Sequence, residues 1–440
     1  MTTFLFERPD SGERALLLNV EMTKQLIAKG GRAKNISQKE AHEQEFYELA
    51  TSAGAEPIVT VSASRYTPDP KFFVGSGKVQ EVAELVEMHE IELVLVDHSL
   101  TPSQERNLEA ELKCRVLDRT GLILDIFSQR ARSFEGNLQV ELAQLKHIST
   151  RLIRGWTHLE RQQGGIGMRG PGESQLETDR RLIGDRIKLL TRKLEKVSRQ
   201  RHQSRAARRK AEVPTVSLVG YTNAGKSTLF NSLTDADVYA EDQLFATLDP
   251  TLRQLVLEDK HEVVLADTVG FIRELPHDLI AAFRSTLQET EEATLLLHVV
   301  DVSDDERLQR MQEVDDVLTF IGADVVPQLI IYNKIDNTDN LKVELRRDDQ
   351  GVPREVYLSA KEGLGMDELR TALQELLADE SFLADLCLEF TEGKLRAQLH
   401  GLGIIQEEKM NEEGKTVLSA RFTAEIIGKY AIDEARLRKH

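Results

Sequence analysis

Residues Gly220, Tyr221, Thr222, Asn223, Ala224, Gly225, Lys226 and Ser227 carry the spacing G-x-x-x-x-G-K-[ST] at every fixed position. They follow an apolar run, Val216-Ser-Leu218-Val219, that reads as a buried strand, and precede Thr228-Leu-Phe-Asn-Ser-Leu233, which reads as the first turns of a helix. Strand, glycine-rich turn and helix form a phosphate cradle. Glycines let the backbone approach the phosphates, and N–H groups and the helix N-terminus face the negative charge. Lys226 would reach the β/γ-phosphates and Ser227 would bind Mg²⁺. The pattern alone says nucleoside triphosphate and no more, so the residues downstream decide what kind.

Further short segments follow in the order such a site needs. Ala266-Asp267-Thr268-Val269-Gly270 ends the apolar run Val263-Val264-Leu265, so Asp267 reads as a second strand-end carboxylate holding Mg²⁺ through water. Gly270 would offer its N–H to the γ-phosphate. Asn333, Lys334, Ile335 and Asp336 follow Leu329-Ile-Ile-Tyr332. The Asp336 carboxylate can accept from guanine N1 and N2 together, a donor pair that adenine lacks, so an unmade pair of hydrogen bonds discriminates between the bases. Asn333 would bridge the base and the P-loop, and Lys334 would pack along the purine. Ser359, Ala360 and Lys361, after Val356-Tyr-Leu358, supply a backbone N–H toward guanine O6. A γ-phosphate sensor remains, and Phe245, Ala246, Thr247, Leu248 and Asp249, with Pro250 and Thr251, lie in the right interval for one. A threonine there should close onto Mg²⁺ when GTP is bound. Thr247 lies 20 residues past Ser227 and Thr251 lies 24 past it. Spacing alone leaves both open, with Thr247 preferred. The catalytic weight then falls on Lys226, Thr247 and Gly270.

The residue after Asp267-Thr-Val-Gly270 is Phe271. Many small GTPases have a glutamine there to orient the attacking water, and phenylalanine cannot hydrogen-bond water. Arg273 is close by and reads as a surface residue of the switch rather than an arginine finger. Positioning and charge stabilisation dominate phosphoryl transfer, so a site lacking one positioning group should be slow alone. A partner is expected to complete it.

The fold expected to hold these residues is α/β. Residues 1–132 alternate strand-like segments (Ala15–Val20, Pro57–Val61, Glu92–Val96, Cys114–Leu117) with helical ones (Lys78–His89, Ser103–Leu112), as in a small α/β domain with a parallel sheet. Residues 133–212 read as a long antiparallel helical hairpin. Leu138, Leu142, Leu145 and Leu152 mark one arm, and Leu176, Ile183, Ile187, Leu190, Leu194 and Val197 form a heptad seam on the other. Between them, Gly155–Gly172 holds six glycines. Residues 213–378 form a P-loop domain with a mostly parallel sheet, and residues 379–440 a small α+β tail with a hairpin turn at Asn411–Gly414.

Composition sets limits. A chain of 440 residues, 40% hydrophobic and 30% charged, is an ordinary globular protein of several domains. Two cysteines, Cys114 and Cys387, form no metal-ligand spacing and fit a reducing compartment. No secretory signal and no membrane-spanning run is expected, and the location expected is cytoplasmic, with peripheral association to ribosomes or membrane. A net charge of −17 argues against general nucleic-acid affinity. Residues 151–212 are the exception, with 17 Lys/Arg against 7 Asp/Glu. A charge run is usually a solvated face. Here Arg154, Arg161, Arg169 and the single Trp156 gather at a glycine-rich tip, and phosphate contact with structured RNA is the functional reading.

On these residues the chain resembles the HflX-type GTPases of the Obg-HflX branch of translation-factor-like GTPases. The likeness rests on Gly220–Ser227, Phe245–Asp249, Asp267–Gly270, Asn333–Asp336 and Ser359–Lys361, and most specifically on Gly164-Gly-Ile-Gly-Met-Arg-Gly-Pro-Gly-Glu-Ser-Gln-Leu-Glu177. It covers roughly residues 10–378. The resemblance implies that Thr247 takes the Mg²⁺ role. It also implies binding to the large ribosomal subunit and its RNA, splitting of stalled ribosomes under stress, and hydrolysis of GTP with some tolerance for ATP. A monomer is expected. The alternatives are a GTPase of ribosomal-subunit assembly, and an RNA-remodelling NTPase with a second nucleotide site at Val74-Gly75-Ser76-Gly77-Lys78. That segment precedes a helix but lacks the full P-loop spacing, so a glycine turn capping the helix is the competing reading.

Overall fold

The computed structural model describes residues 12–22, 36–155, 180–197, 213–234, 262–273, nearly all of 284–377, and most of 244–257 and 382–439. The N-terminal sheet is built from β1 (Arg14–Met22), β2 (Glu56–Arg65), β3 (Leu93–Val96) and β4 (Arg115–Asp118), all parallel, in the order β2-β1-β3-β4. Leu16, Leu17 and Leu18 in β1 and the whole of β3 are buried on both faces, so these strands read as continuous apolar runs. The helices α1 (Ile36–Ser52), α2 (Ser76–Met88), α3 (Pro102–Leu112) and α4 (Arg119–Arg130) complete this unit. The start of α3 is legible in Thr101-Pro-Ser-Gln104. The Thr101 side chain accepts from the Gln104 N–H at 3.3 Å, and Gln104 Oε1 accepts from the Thr101 N–H at 3.0 Å, a capping box with proline at the first helical position. Helix α1 escapes the sequence reading because the buried apolar residues described in it, Phe46, Leu49 and Ala50, lie in its last turns.

The hairpin follows. Its first arm is α5 (Phe134–Gly155), and residues 180–197 form α6. Leu138, Leu142 and Leu145 pack with Leu190, flanked by Ile183, Ile187 and Leu194, so the seam is what joins the arms. Arg186 grips Glu141 across it with two hydrogen bonds of 2.6 and 2.9 Å. Arg154 lies in α5 with its side chain undescribed, and Trp156, Arg161 and Arg169 lie outside the described residues, as does the glycine-rich tip after Gly155.

The nucleotide-type sheet has seven strands in the order β10-β11-β9-β8-β5-β7-β6. They are β5 (Thr215–Gly220), β6 (Thr251–Val256), β7 (Glu262–Asp267), β8 (Leu295–Asp301), β9 (Gln328–Asn333), β10 (Glu344–Arg347) and β11 (Pro353–Tyr357). β5 lies between β7 and β8, parallel to both, and only β6 runs antiparallel to its neighbour β7 among the pairings described. The helices α7 (Lys226–Thr234), α8 (Arg284–Glu291) and α9 (Arg307–Ile321) belong with it. One hydrophobic cluster runs from Phe46 of α1 and Leu122–Phe127 of α4 to Leu244, Phe245, Leu248, Phe271 and Ile272. Phe127 meets Phe245 edge to face, with centroids 4.7 Å apart. The N-terminal sheet and the P-loop sheet thus share a core, and the residues at their seam are those expected to move with the nucleotide.

The chain divides into two units, Met1–Asp348 with Arg354–Glu368, and Asp349–Pro353 with Leu369–His440. The second contains a four-stranded sheet in the order β13-β14-β12-β15, formed by β12 (Phe382–Leu388), β13 (Ile405–Met410), β14 (Thr416–Phe422) and β15 (Leu437–Lys439), with the short helix α11 (Gly393–Gly401) after α10 (Met366–Leu377). β13 and β14 pair antiparallel up to Met410 and Thr416, while the expected turn at 411–414 lies outside the described residues.

Candidate nucleotide-binding site

β5 ends and α7 begins across the P-loop, and two glycines there are required by space. Gly220 has φ +146°, and a Cβ on it would lie 2.2 Å from the Val299 carbonyl oxygen. Gly225 has φ +93°, and a Cβ would lie 2.2 Å from Asn333 Nδ2. Asn223 adopts φ +59°, the left-handed region that asparagine tolerates. Lys226 is 6% exposed and donates to the Tyr221 carbonyl at 2.7 Å. Burial pulls its ammonium down to about 8, against the opposing pull of the Asp267 carboxylate.

Three oxygens meet at the head of α7. Ser227 Oγ donates to Asp267 Oδ2 at 2.7 Å, Thr247 Oγ1 donates to the same oxygen at 2.8 Å, and the two hydroxyls lie 2.8 Å apart. Adjacent ligands of an octahedral ion with bonds of 2.0–2.1 Å lie about 2.9 Å apart. The two hydroxyls, 2.8 Å apart, therefore fit adjacent positions on Mg²⁺ with little movement, and the Asp267 carboxylate beside them suits a water-mediated contact. Among the described residues Asp267 Oδ1 is buried without a hydrogen-bond partner, and burial raises this carboxyl against the pull of Ser227 and Thr247, the condition a cation would relieve. Thr251, the other threonine left open by spacing, is the first residue of β6 and pairs with Asp267 along the strand, while Thr247 meets the cluster. Ala246 and Asp249 lie outside the described residues.

The base-side segments converge on Asn333, which is 2% exposed. Its Nδ2 donates to the Ala224 carbonyl and its Oδ1 accepts from the Ala360 N–H, both at 2.9 Å. One side chain therefore ties the P-loop to Ser359-Ala-Lys361. Lys334 has φ +65° and pairs with Asp301 at 2.8 Å. Asp336 is exposed in the single turn Ile335–Asn337, and Lys361 is exposed as well. Ser359 is buried and its Oγ accepts from the Glu362 N–H at 3.2 Å.

The segment after Asp267 lies on the P-loop. Thr268 donates to the Leu218 carbonyl at 2.5 Å, Phe271 donates its N–H to the Gly220 carbonyl at 3.1 Å, and Thr222 donates its N–H to the Phe271 carbonyl at 2.7 Å. Val269 is buried, and a Cβ on Gly270 would lie 3.0 Å from Lys226 Nζ. The Phe271 ring is 2% exposed and belongs to the shared core, so it points away from any attacking water.

Arg273 corrects the sequence reading. It is 7% exposed rather than a surface residue. Its guanidinium pairs with Glu306 at 3.1 Å and Glu313 at 3.5 Å, and contacts His42. A buried guanidinium keeps company with carboxylates from several elements, and that company is invisible along the chain. The same holds for residues that sequence reasoning missed. Glu45 of α1 accepts from the Tyr221 hydroxyl and from Arg119, and Arg119 also pairs with Asp97. Burial alone would raise Glu45, yet the Arg119 and Arg273 guanidiniums and the Tyr221 hydroxyl hold it below the usual carboxylate range. Asp97 sits at about 2, with Arg119 and His42 outweighing its burial. The available signal was positional: Asp97 directly follows buried β3, and Asp118-Arg119 lie at the end of β4, where α/β sheets place functional residues. At Gly75–Lys78, Gly75 caps α2 and Lys78 pairs with Glu81 at 2.7 Å.

His298 on β8 is 2% exposed, and burial drives it down to about 4. Lys226 adds to that depression, Gln328 opposes it by hydrogen bonding, and the Asp315 carboxylate is 4.0 Å away. A folded value below the unfolded one contributes stability that is present at neutral pH and is lost as pH falls from 6.5 toward 4. Between pH 7 and pH 5 the loss from this group is expected to be about 2 kcal/mol. Urea unfolding at both pH values tests it: His298→Asn should flatten the pH dependence, and an unchanged slope would contradict the assignment.

Three family models match the chain: a GTP-binding GTPase N-terminal region over residues 40–128, a GTP-binding GTPase middle region over 130–208, and a 50S ribosome-binding GTPase over 215–334. Among curated proteins, the chain is 53% identical to the GTPase HflX of Escherichia coli over 418 residues, 95% of each chain. It is 46% identical to the GTPase HflX of Caldanaerobacter subterraneus over 382 residues, 87% of each. Among solved structures it is similar to a GTP-binding protein from Sulfolobus solfataricus in complex with GDP, at 23% identity and a TM-score of 0.43, covering 83% of this chain and 99% of that one. No helix among the described residues is long and apolar enough to cross a membrane.

Proposed function

This chain belongs to the HflX family of GTPases and hydrolyses GTP, and from that premise we propose that it binds the large ribosomal subunit and dissociates stalled or idle ribosomes. Hydrolysis, stimulated by the ribosome, drives release. The observation that carries this reading is the pairing of a Mg²⁺-ready triphosphate site with a Phe271 ring turned into the core, in a chain whose residues 151–212 hold 17 Lys/Arg against 7 Asp/Glu. The matched ribosome-binding GTPase family supports the partner.

In this reading Lys226 leaves the Tyr221 carbonyl for the β/γ-phosphates, and the helix N-terminus of α7 faces them. Ser227 and Thr247 would hold Mg²⁺ directly and Asp267 through water. The ion supplies neutralisation of the charge on the phosphate oxygens. The Gly270 N–H turns to the γ-phosphate, which couples nucleotide state to the segment after Asp267. Asp336 reads guanine, with Asn333 holding its loop to the P-loop. Arg154, Arg161 and Arg169 bring the basic tip to ribosomal RNA.

Because the Phe271 ring is buried and cannot position water, hydrolysis is expected to be slow alone and at least ~10-fold faster with large subunits. Single-turnover measurement of GTP hydrolysis with and without the subunits tests this, and equal rates would sink it. Sedimentation of ribosomes with the protein and a non-hydrolysable analogue tests the splitting step. Subunits that separate without hydrolysis assign force to binding, and subunits that stay joined with both GTP and the analogue refute the reading.

A further inference from the structure

We propose that the Tyr221 hydroxyl couples the γ-phosphate position to helices α1 and α4 of the N-terminal domain, holding Gly270–Arg273 down on the P-loop so that a triphosphate, unlike a diphosphate, must break this contact to bind. The inference rests on the P-loop being the GTP site and not on the ribosome reading.

The backbone of Gly270 and Phe271 packs directly against Thr222 and the end of Lys226. The Thr222 N–H, one of the amides facing the phosphates, is spent on the Phe271 carbonyl at 2.7 Å, and Gly270 leaves no room for a Cβ beside Lys226 Nζ. The anchor that holds this segment is built by the N-terminal unit. The Tyr221 hydroxyl accepts from the Arg273 N–H at 2.8 Å and donates to Glu45 Oε2 at 2.5 Å. Arg119 Nη2 donates to Glu45 Oε1 at 2.6 Å and to the Arg273 carbonyl at 3.2 Å. Both backbone groups of Arg273 are therefore gripped, one by the P-loop tyrosine and one by α4. Glu45, Arg119, Tyr221 and Arg273 are each under a tenth exposed, so in this low-dielectric site the bonds are strong and an unmade one is costly.

There is room for release. A cavity of about 230 Å³ lies beside Tyr221, lined by Gln44 and Glu48 of α1, Asn223, and Arg307 and Arg310 of α9. A seam with a void on one side can shift without unpacking its core. Coupling of this kind is reciprocal. A triphosphate that displaces Phe271 loosens Arg273 from Tyr221 and Arg119, and a partner that pulls on α1 or α4 favours the triphosphate.

The test uses the full chain. Tyr221→Phe deletes the hydroxyl and keeps the ring against the Arg310 guanidinium, 4.8 Å from its centroid. Affinities for GDP and for a non-hydrolysable GTP analogue are measured by fluorescence titration, with amide hydrogen exchange of the 268–273 segment. The ratio of analogue to GDP affinity is expected to rise about five-fold, the worth of one ordinary hydrogen bond, and exchange of that segment in the GDP state is expected to speed up. Glu45→Gln, which loosens the same hydroxyl, should shift the ratio in the same direction. A ratio within two-fold of the parent in both variants, or equal losses for both nucleotides, overturns the proposal, since a merely structural role moves both together. Failure of the parent protein to bind either nucleotide would instead overturn the P-loop assignment.

Discussion

Asp336→Asn is expected to cost GTP affinity on the order of 10²- to 10⁴-fold while leaving the fold intact. Asp336 is exposed at the single helical turn Ile335–Asn337, and its loop is held from behind by Asn333, so the side chain carries no packing. Its carboxylate can accept from the guanine N1–H and N2–H together. Asparagine faces one of these without the charge and turns its own N–H against the other, so neither charge-assisted bond survives. Two hydrogen bonds to a charged group are worth about 1.5–3 kcal/mol each, which sets the range. Calorimetric titration with GTP reads the loss, and xanthosine triphosphate, with an oxygen in place of the 2-amino group, should recover part of it. The melting temperature should not move. GTP affinity within three-fold of the parent would remove Asp336 from the base-reading role.

Gly225→Ala is expected to abolish nucleotide binding through Asn333. At φ +93° an alanine costs about 1–2 kcal/mol of backbone strain. The new Cβ would also stand 2.2 Å from Asn333 Nδ2, and that side chain is the tie between Ala224 and Ala360. It must leave, freeing the P-loop and the Ser359–Lys361 segment together. Nucleotide affinity should fall by more than about 10²-fold, because a 1 Å misplacement of a binding loop is enough for such a loss. Gly54→Ala is the control: it has φ +94° with nothing within 4 Å of the added Cβ. It should lower the melting temperature by a few degrees and leave nucleotide affinity unchanged. If Gly225→Ala behaves like Gly54→Ala, the Asn333 bridge is not what positions the loop.

The motif segments were legible because each is contiguous and each follows a buried strand. Local geometry then dictates which backbone groups face outward at the strand end, as at Gly220, Asp267 and Asn333. The seam of the hairpin was legible from local periodicity, since Leu138, Leu142 and Leu145 on one arm and Ile183, Ile187, Leu190 and Leu194 on the other each repeat at helical spacing. Spacing left two threonines open, and the packing of Thr247 beside Ser227 and Asp267 distinguishes them.

Arg273 was misread because burial is a tertiary property. A charged residue in a loop looks solvated until Glu306, Glu313 and Glu45 arrive from elsewhere in the chain. Tyr221 shows the same limit. It was read as one more P-loop position, and its hydroxyl meets Glu45 176 residues away in sequence. The amino-acid order alone determined the nucleotide-type motifs, the α/β class and the hairpin, because those rest on local periodicity and strand-end geometry. Which loop carbonyl covers the Thr222 amide, where the Phe271 ring goes and which charges share one buried network were decided by the tertiary structure, because each depends on two sheets packing around a common core, and no local pattern encodes the far side of such a contact.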